Sequence, residues 1–144
     1  MARYRTTIES TKSATDAFDY LSDFANAREW DPGVVEGEHL TSGPVGPGSR
    51  IRLVASFLGR RVPLEYEITA FDRGRRVVFQ ADDSKVRSVD EIRFSGRGDR
   101  TSVTYEADLR VKGPIGRLVD PLLGLAFRRI GDRAAAGLRQ ALNT

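Results

Sequence analysis

The sequence contains no cysteine and a single histidine, His39. Without cysteine the chain cannot form a disulfide, a thiolate nucleophile, or a zinc or iron–sulfur site that uses cysteine ligands. One histidine also excludes a metal centre built from several imidazoles. No set of residues in the sequence requires a metal or an organic cofactor, so we expect neither.

Lysine is also scarce, since only Lys12, Lys85 and Lys112 are found among 23 basic residues. Acidic residues reduce the formal net charge to +3, and no strip of aromatic residues accompanies the basic pairs. Because nucleic-acid sites combine concentrated positive charge with stacking surfaces, we expect no nucleic-acid partner. The small net charge likewise predicts no stable membrane association, although weak attachment to an anionic membrane is left open.

Long apolar runs are missing as well. The first ten residues carry charge with no apolar stretch behind them, which is not typical of a signal peptide. The most apolar segment, residues 119–130, is interrupted by Asp120, Arg128 and Arg129 and predicts no membrane span. We therefore expect a cytoplasmic protein. Its 144 residues, 40% of them hydrophobic, predict one domain over residues 1–144 that buries its own core.

The hydrophobic pattern predicts seven strands and three helices. A strand over Arg3–Thr11 is followed by two short helices that Ser13 and Asp23 would cap. Six alternating segments come next, joined by short turns that contain glycine, which favours antiparallel hairpins. They begin near Val34, Ile51, Val62, Val77, Val86 and Val103. A long helix follows Gly113, so the order predicts an α+β fold with a curved sheet around a C-terminal helix.

Local phrases in this order carry a resemblance that covers the whole chain. They are Ser13–Leu21 with Asp23, Trp30–Val34, Gly46–Arg50, Tyr66–Asp72, Thr101–Tyr105 and Leu118–Leu142. Together they resemble the START-like, helix-grip (SRPBCC) superfamily, which includes the birch-pollen allergen and the polyketide cyclase/dehydrase proteins. The resemblance implies a seven-stranded antiparallel sheet, two short helices and a long C-terminal helix around a hydrophobic cavity. It does not fix a function, because the superfamily implies carriers, cyclases, hydroxylase domains and chaperone activators.

The residues themselves also indicate a cavity. Small residues such as Ala55, Ser88 and Ala107 lie among the inward positions and would leave space facing the helix. A ligand-sized cavity needs roughly 300 Å³ or more. The predicted lining is Trp30, Ile51, Leu53, Phe57, Leu64, Tyr66, Ile68, Phe79, Phe94, Tyr105, Leu118, Leu122, Ala126 and Ile130. The alternatives are a filled core and, for Trp30, packing of the short helices against the sheet in place of a lid at the cavity entrance.

Two titratable residues are candidate catalytic groups. Asp90 shares its parity with apolar positions of its strand, so a regular strand would bury the carboxylate and raise its pKa. The alternative is a bulge at Val89–Asp90 that exposes it. His39 would either point inward as an acid or base, or lie solvated at the end of its strand.

Tyr66 and Tyr105 are the other two candidate catalytic residues. Both lie at inward parity on strands, where a buried hydroxyl needs a hydrogen-bond partner. The resemblance to cyclases implies that tyrosines, acids and arginines polarise ketone oxygens and assist enolisation and dehydration. The positions that could take these roles are Tyr66, Tyr105, Asp90 and Arg52, although no motif matches residue for residue. The alternative is that the tyrosines complete the core.

Three functions remain open from the sequence. The first is binding of a small hydrophobic molecule, such as a lipid, a polyketide or an isoprenoid, without catalysis. The second is a polyketide cyclase/aromatase or a dehydratase, and the third is a chaperone-activator-like module that acts through its outer surface. Polar groups that converge in the cavity would favour the enzyme. A wholly apolar cavity would favour the carrier, and a filled core would favour the interaction module. The sequence does not indicate an oligomeric state.

Overall fold

Seven strands form one antiparallel sheet in a computed structural model that describes residues 2–57 and 59–144. The strands are β1 (Ala2–Ser10), β2 (Val34–His39), β3 (Arg50–Phe57), β4 (Arg60–Asp72), β5 (Arg76–Asp82), β6 (Val86–Arg97) and β7 (Arg100–Val111). Their spatial order is β1-β7-β6-β5-β4-β3-β2. The sheet therefore continues from hairpin to hairpin between β2 and β7, and β1 is added beside β7. With the three helices this confirms the expected α+β helix-grip fold.

Three helices accompany the sheet: α1 (Ala14–Ser22), α2 (Ala27–Trp30) and α3 (Gly113–Ala141). Ser13 caps α1 as expected, because its Oγ accepts a hydrogen bond of 3.1 Å from the Asp16 N–H. The second predicted helix is instead a 3₁₀ turn over Phe24–Asn26 followed by the single turn of α2. Within residues 2–57 and 59–144, no helix has the length and apolarity to cross a membrane.

The hairpins define two ends of the sheet. The β3–β4 turn, the β5–β6 turn and the junction between β7 and α3 lie at the same end, because Phe57 pairs with Arg60 and Val86 pairs with Val111. The backbone N–H of Lys112 donates to the Lys85 carbonyl at 2.8 Å, which holds the start of α3 beside the β5–β6 turn.

The core fills the opposite part of the sheet. Phe18 and Leu21 of α1 are fully buried against the inner sheet face, as is Leu138 near the end of α3. Helix α3 continues through Pro121, and its second half lies close to α2. A Cβ at Gly137 would overlap the carbonyl oxygen of Trp30, so glycine at this position permits the close approach of the two helices. The middle of α3 contributes less to the core, and space remains beneath it.

Candidate functional site

A cavity of about 710 Å³ lies between the concave face of the sheet and helix α3, which borders it from Leu123 to Leu138. Its lining combines strand residues such as Leu53 and Ala107 with Leu123 and Phe127 of α3. Exposed lining residues lie at the end of the sheet that holds the β3–β4 and β5–β6 turns, and we call this set the cavity mouth. The set is Ser56, Arg60, Arg61, Pro63, Asp83, Ser84 and Lys85. The interior is therefore hollow on a scale that fits a small organic molecule.

Half of the predicted lining residues border this cavity. They are Trp30, Leu53, Phe57, Leu64, Tyr66, Tyr105 and Ile130. Four others, Ile51, Ile68, Phe79 and Phe94, are buried in the packed core and do not border it. Aromatic packing explains this, since Phe24 stacks on Phe79 at 3.9 Å between ring centres and Phe18 packs against Phe94 at 5.3 Å. The inward layer is thus solid at one end of the sheet and hollow at the other.

The expectation for three residues of α3 was wrong. Leu118 and Leu122 are exposed on its outer side, and the half-buried Ala126 does not border the cavity. The inner side of the helix instead presents Leu123, Phe127, Ile130 and Ala134 to the cavity. These four follow the i, i+4, i+7, i+11 spacing of one helical face, and Leu118 and Leu122 lie on another.

Asp90 is buried at the inner wall of the cavity, with 8% of its surface exposed. The register between β6 and β7 is regular from Val86 to Arg97, so the alternative of a bulge at Val89–Asp90 is wrong. The hydroxyl of Tyr105 donates to Oδ2 of Asp90, and Ser88 Oγ lies 3.4 Å from Oδ1. Ser88 Oγ is also 2.8 Å from the Tyr66 hydroxyl. We call these four side chains, Tyr66, Ser88, Asp90 and Tyr105, the Asp90 network.

Strand geometry brings the Asp90 network together. Ser88 and Asp90 are two residues apart on β6, so they point to the same face of the sheet. Asp90 pairs with Ala107 and the next inward residue of β7 is Tyr105, which makes Asp90 and Tyr105 diagonal neighbours. Because alanine is small, Ala107 leaves room for the tyrosine hydroxyl to reach the carboxylate.

Aromatic residues of the short helices support the two tyrosines. Trp30 packs edge-on against Tyr105, with ring centres 5.7 Å apart, and Phe24 packs edge-on against Tyr66 at 5.1 Å. Trp30 is almost completely buried. Trp30 therefore packs α2 against the sheet and α3, which was the alternative to a lid at the cavity entrance. It also borders the cavity.

Burial dominates the electrostatics of the site. Loss of hydration raises the pKa of Asp90 to about 7, and the hydrogen bond from Tyr105 offsets part of this increase by stabilising the carboxylate. Burial and the nearby Asp90 raise the pKa of both Tyr66 and Tyr105, so these hydroxyls remain protonated. Asp31 also borders the cavity, and burial raises its pKa although its Oδ1 accepts a 2.8 Å hydrogen bond from the Gly33 N–H.

Basic groups border only the outer part of the cavity. Arg60, Arg61 and Lys85 are the basic residues of the lining within the described part of the chain, and all three are exposed at the cavity mouth. The polar groups of the deep wall are therefore hydroxyls and carboxyls. In residues 2–57 and 59–144, no three histidine, aspartate or glutamate side chains come together as a metal-binding group.

His39 lies away from the cavity, so the inward alternative was wrong. It is the last residue of the edge strand β2, at the end of the sheet opposite the cavity mouth. Its side chain is exposed, and Nε2 lies 2.9 Å from Oδ1 of Asp23. The end of an edge strand has no second layer to enclose the imidazole, which lies instead beside the half-buried carboxylate of Asp23.

The sequence pattern does not predict a polar role in the site for Ser88 or Asp31. Ser88 stands out in the sequence only for its small size and Asp31 only as part of a turn, yet both border the cavity. The signal for Ser88 is its position two residues before Asp90 at the same parity. Asp31 carries no such signal, because it follows α2 in an irregular segment whose direction depends on tertiary packing.

Solved structures share this fold. A START superfamily protein from Mycobacterium smegmatis is 19% identical with a TM-score of 0.76, over 99% of this chain and 97% of that one. A Thermus thermophilus protein is also 19% identical, with a TM-score of 0.80 over 97% and 96% of the two chains. The Zhui aromatase/cyclase from Streptomyces sp. is 15% identical, with a TM-score of 0.75 over 97% and 90%. At these identities the likeness shows the fold alone.

The sequence itself matches a family. None of the curated proteins compared with the chain matches it. The family described as polyketide cyclase / dehydrase and lipid transport, in contrast, matches residues 1–143. With this match over nearly the full length, and with a helix-grip fold shared with START superfamily and aromatase/cyclase structures, the chain belongs to the polyketide cyclase / dehydrase and lipid transport family.

Proposed function

We propose that the chain binds a small, mainly apolar molecule in the cavity and holds an oxygen atom of that molecule at the Asp90 network. The observation that carries this proposal is a hollow of about 710 Å³ with four buried, mutually hydrogen-bonded polar side chains on its wall. Burial of polar groups is costly unless they serve as hydrogen-bond partners. The family description, which includes lipid transport, supports the same class of ligand.

The chemistry of the deep wall favours a neutral oxygen function. Asp90 and Asp31 are both acidic, and the basic groups of the lining lie at the cavity mouth. A ligand carboxylate placed beside Asp90 would add a second negative charge in a desolvated site, whereas a carbonyl or hydroxyl oxygen adds none. We therefore expect ketones and alcohols to bind more tightly than fatty acids of the same length.

Proton transfer on the bound molecule is the second candidate function. Its specific support is Asp90, because a buried carboxyl with a pKa of about 7 is suited to accept and return a proton near neutral pH. On a β-hydroxyketone, the Asp90 carboxylate would take a proton from the carbon next to the carbonyl. The resulting acid would then protonate the departing hydroxyl, so that one molecule of water is lost. One of the similar structures is named as an aromatase/cyclase.

Native mass spectrometry and solvent extraction of the protein test the binding proposal. We expect one apolar molecule bound per chain. The Ala107→Phe variant should lose it because the added ring enters the cavity. Ala136→Phe is the matched control, since Ala136 is exposed on α3 and does not border the cavity. A bare chain that also fails to bind long-chain ketones and alcohols would contradict the proposal.

The two candidate functions separate at Asp90. If the site catalyses proton transfer, Asp90→Asn should abolish turnover of a β-hydroxyketone while the ketone still binds, because asparagine keeps the shape but not the acid. Equal turnover by the wild type and Asp90→Asn would exclude the catalytic role. Binding without turnover in both proteins would leave the carrier function. A filled core would have favoured the chaperone-activator-like module, so the cavity gives that third function no support.

A further inference from the structure

One side of the first half of α3 is apolar and exposed. Leu118 is 80% exposed, Leu122 71%, Ile115 68% and Leu125 59%. Their i, i+3, i+7, i+10 spacing places them on one helical face, and we call them the α3 ridge. In the described part of the chain, only Leu40 among the other large hydrophobic residues is exposed. The remaining described leucines are buried or half-buried, so a cluster of this kind indicates a contact surface.

The α3 ridge lies beside the cavity mouth. On the opposite side of the helix, Leu123 and Phe127 border the cavity, so the wall that α3 forms begins where the α3 ridge ends. Its first turn begins beside the β5–β6 turn, where the Lys112 N–H donates to the Lys85 carbonyl. A partner that covers the α3 ridge would therefore also stand next to the opening through which a ligand enters.

Basic side chains are frequent on the first half of α3 and at the cavity mouth. At the cavity mouth and in residues 113–129 of α3, six basic residues accompany two acidic ones. They are Arg60, Arg61, Lys85, Arg117, Arg128 and Arg129, with Asp83 and Asp120. The carboxylate of Asp83 accepts hydrogen bonds from the Lys85 and Val86 N–H groups at 2.7 and 2.8 Å, so it is held by its own turn. The positive charge is concentrated here although the net charge of the chain is only +3.

We propose that the α3 ridge docks reversibly on an anionic lipid surface and brings the cavity mouth to the membrane. Exposed leucines on a helix that lies flat can enter the boundary between headgroups and acyl chains, and neighbouring arginines contact lipid phosphates. A second copy of the chain is the less suitable partner. A twofold contact through the ridge would bring Arg117, Arg128 and Arg129 of both copies together and leave like charges facing each other.

Co-sedimentation of the full chain with lipid vesicles tests this docking. Vesicles of equal parts phosphatidylglycerol and phosphatidylcholine should bind the protein at least about tenfold more strongly than phosphatidylcholine alone, and added salt should weaken the binding. Leu118→Ser with Leu122→Ser should lower the binding about tenfold, and so should Arg128→Glu with Arg129→Glu. Leu40→Ser is the matched control, an exposed leucine outside the ridge, and should change binding less than about twofold.

The variants separate docking from folding and from ligand binding. All substituted residues are exposed and outside the cavity lining, so thermal unfolding and the extracted ligand should match the wild type. Loss of vesicle binding with an intact fold and ligand supports the proposal. Two results would overturn it without affecting the binding function: no vesicle binding by the wild type, or a wild-type dimer in sedimentation equilibrium that Leu118→Ser with Leu122→Ser converts to a monomer.

Discussion

Tyr66 and Ser88 are joined through their hydroxyls at 2.8 Å although β5 lies between their strands. Ala81 is the residue of β5 that pairs with Ser88, and its methyl group leaves the tyrosine side chain room to cross. The contact links β4 to β6 on the inner face of the sheet, and the Asp90 network extends it to β7 through Tyr105. The polar wall of the cavity is therefore a continuous chain of hydrogen bonds across four strands.

The pH dependence of stability should change in Asp90→Asn. Burial raises the pKa of Asp90 to about 7 in the folded chain, whereas an unfolded aspartate has a pKa of about 4. Between these pH values the folded state binds more protons than the unfolded state. The free energy of unfolding therefore decreases as pH rises through this window and levels off above the folded pKa. We expect ionisation of Asp90 to lower the free energy of unfolding by a few kcal/mol between about pH 4 and about pH 8.

Asparagine resembles the protonated carboxyl and does not titrate. The variant should therefore match the wild type in acid and exceed it in stability at about pH 8, as measured by denaturant unfolding at a series of pH values. Asp31 also has a raised pKa, but it is present in both proteins and cancels in the difference. Parallel stability curves for the two proteins would show that Asp90 is not neutral in the folded state.

Removing the hydroxyl of Tyr105 should raise the pKa of Asp90 further. The hydrogen bond from this hydroxyl is the main interaction that favours the carboxylate against the cost of its burial. Tyr105→Phe deletes it and leaves the packing of the ring against Trp30 in place. Carboxyl carbon chemical shifts of Asp90, followed by NMR across pH, should then report a midpoint above that of the wild type. The lost buried hydrogen bond should also cost about 1 kcal/mol of stability.

Tyr66→Phe is the matched control for this titration. Its hydroxyl bonds to Ser88 and does not contact the Asp90 carboxyl directly, so the pKa of Asp90 should change less than in Tyr105→Phe. Equal changes in the pKa of Asp90 in the two variants would contradict the prediction. They would mean that the network acts as one unit and that the direct hydrogen bond from Tyr105 contributes no more than the rest.

Much of the fold could be predicted from the sequence, because the alternation of inward and outward side chains along a strand depends only on neighbouring residues. Alternation placed Asp90, Tyr66 and Tyr105 on the inner face, and all three occupy it. The α3 residues were harder, because apolar side chains surround most of the first half of that helix. The sequence cannot tell which apolar side faces the sheet, so Leu118 and Leu122 were assigned inward when Leu123 and Phe127 hold that position.

The sequence also could not show where the interior is hollow. Parity marked Ile51 and Phe79 as inward in the same way as Leu53 and Leu64, yet only the last two border the cavity. The difference depends on how far α1 and the 3₁₀ turn extend over the sheet, which is a tertiary property. Side chains from these segments, such as Phe24, fill one end of the concave face and leave the other empty.

The contact between α3 and α2 should be sensitive to a single methyl group. Glycine usually destabilises a helix interior, so Gly→Ala should raise the free energy of unfolding by about 1 kcal/mol where space is free. Gly124 is such a position, because an added Cβ would meet nothing within 4 Å. At Gly137 the same methyl would overlap the Trp30 carbonyl oxygen and lie 2.9 Å from its carbon. Because both partners are backbone, relief requires α3 to move away from α2, and Gly137→Ala should cost about 1–3 kcal/mol. Thermal unfolding of the two variants should therefore shift the midpoint in opposite directions, and a gain in both would show that α3 does not approach α2 so closely.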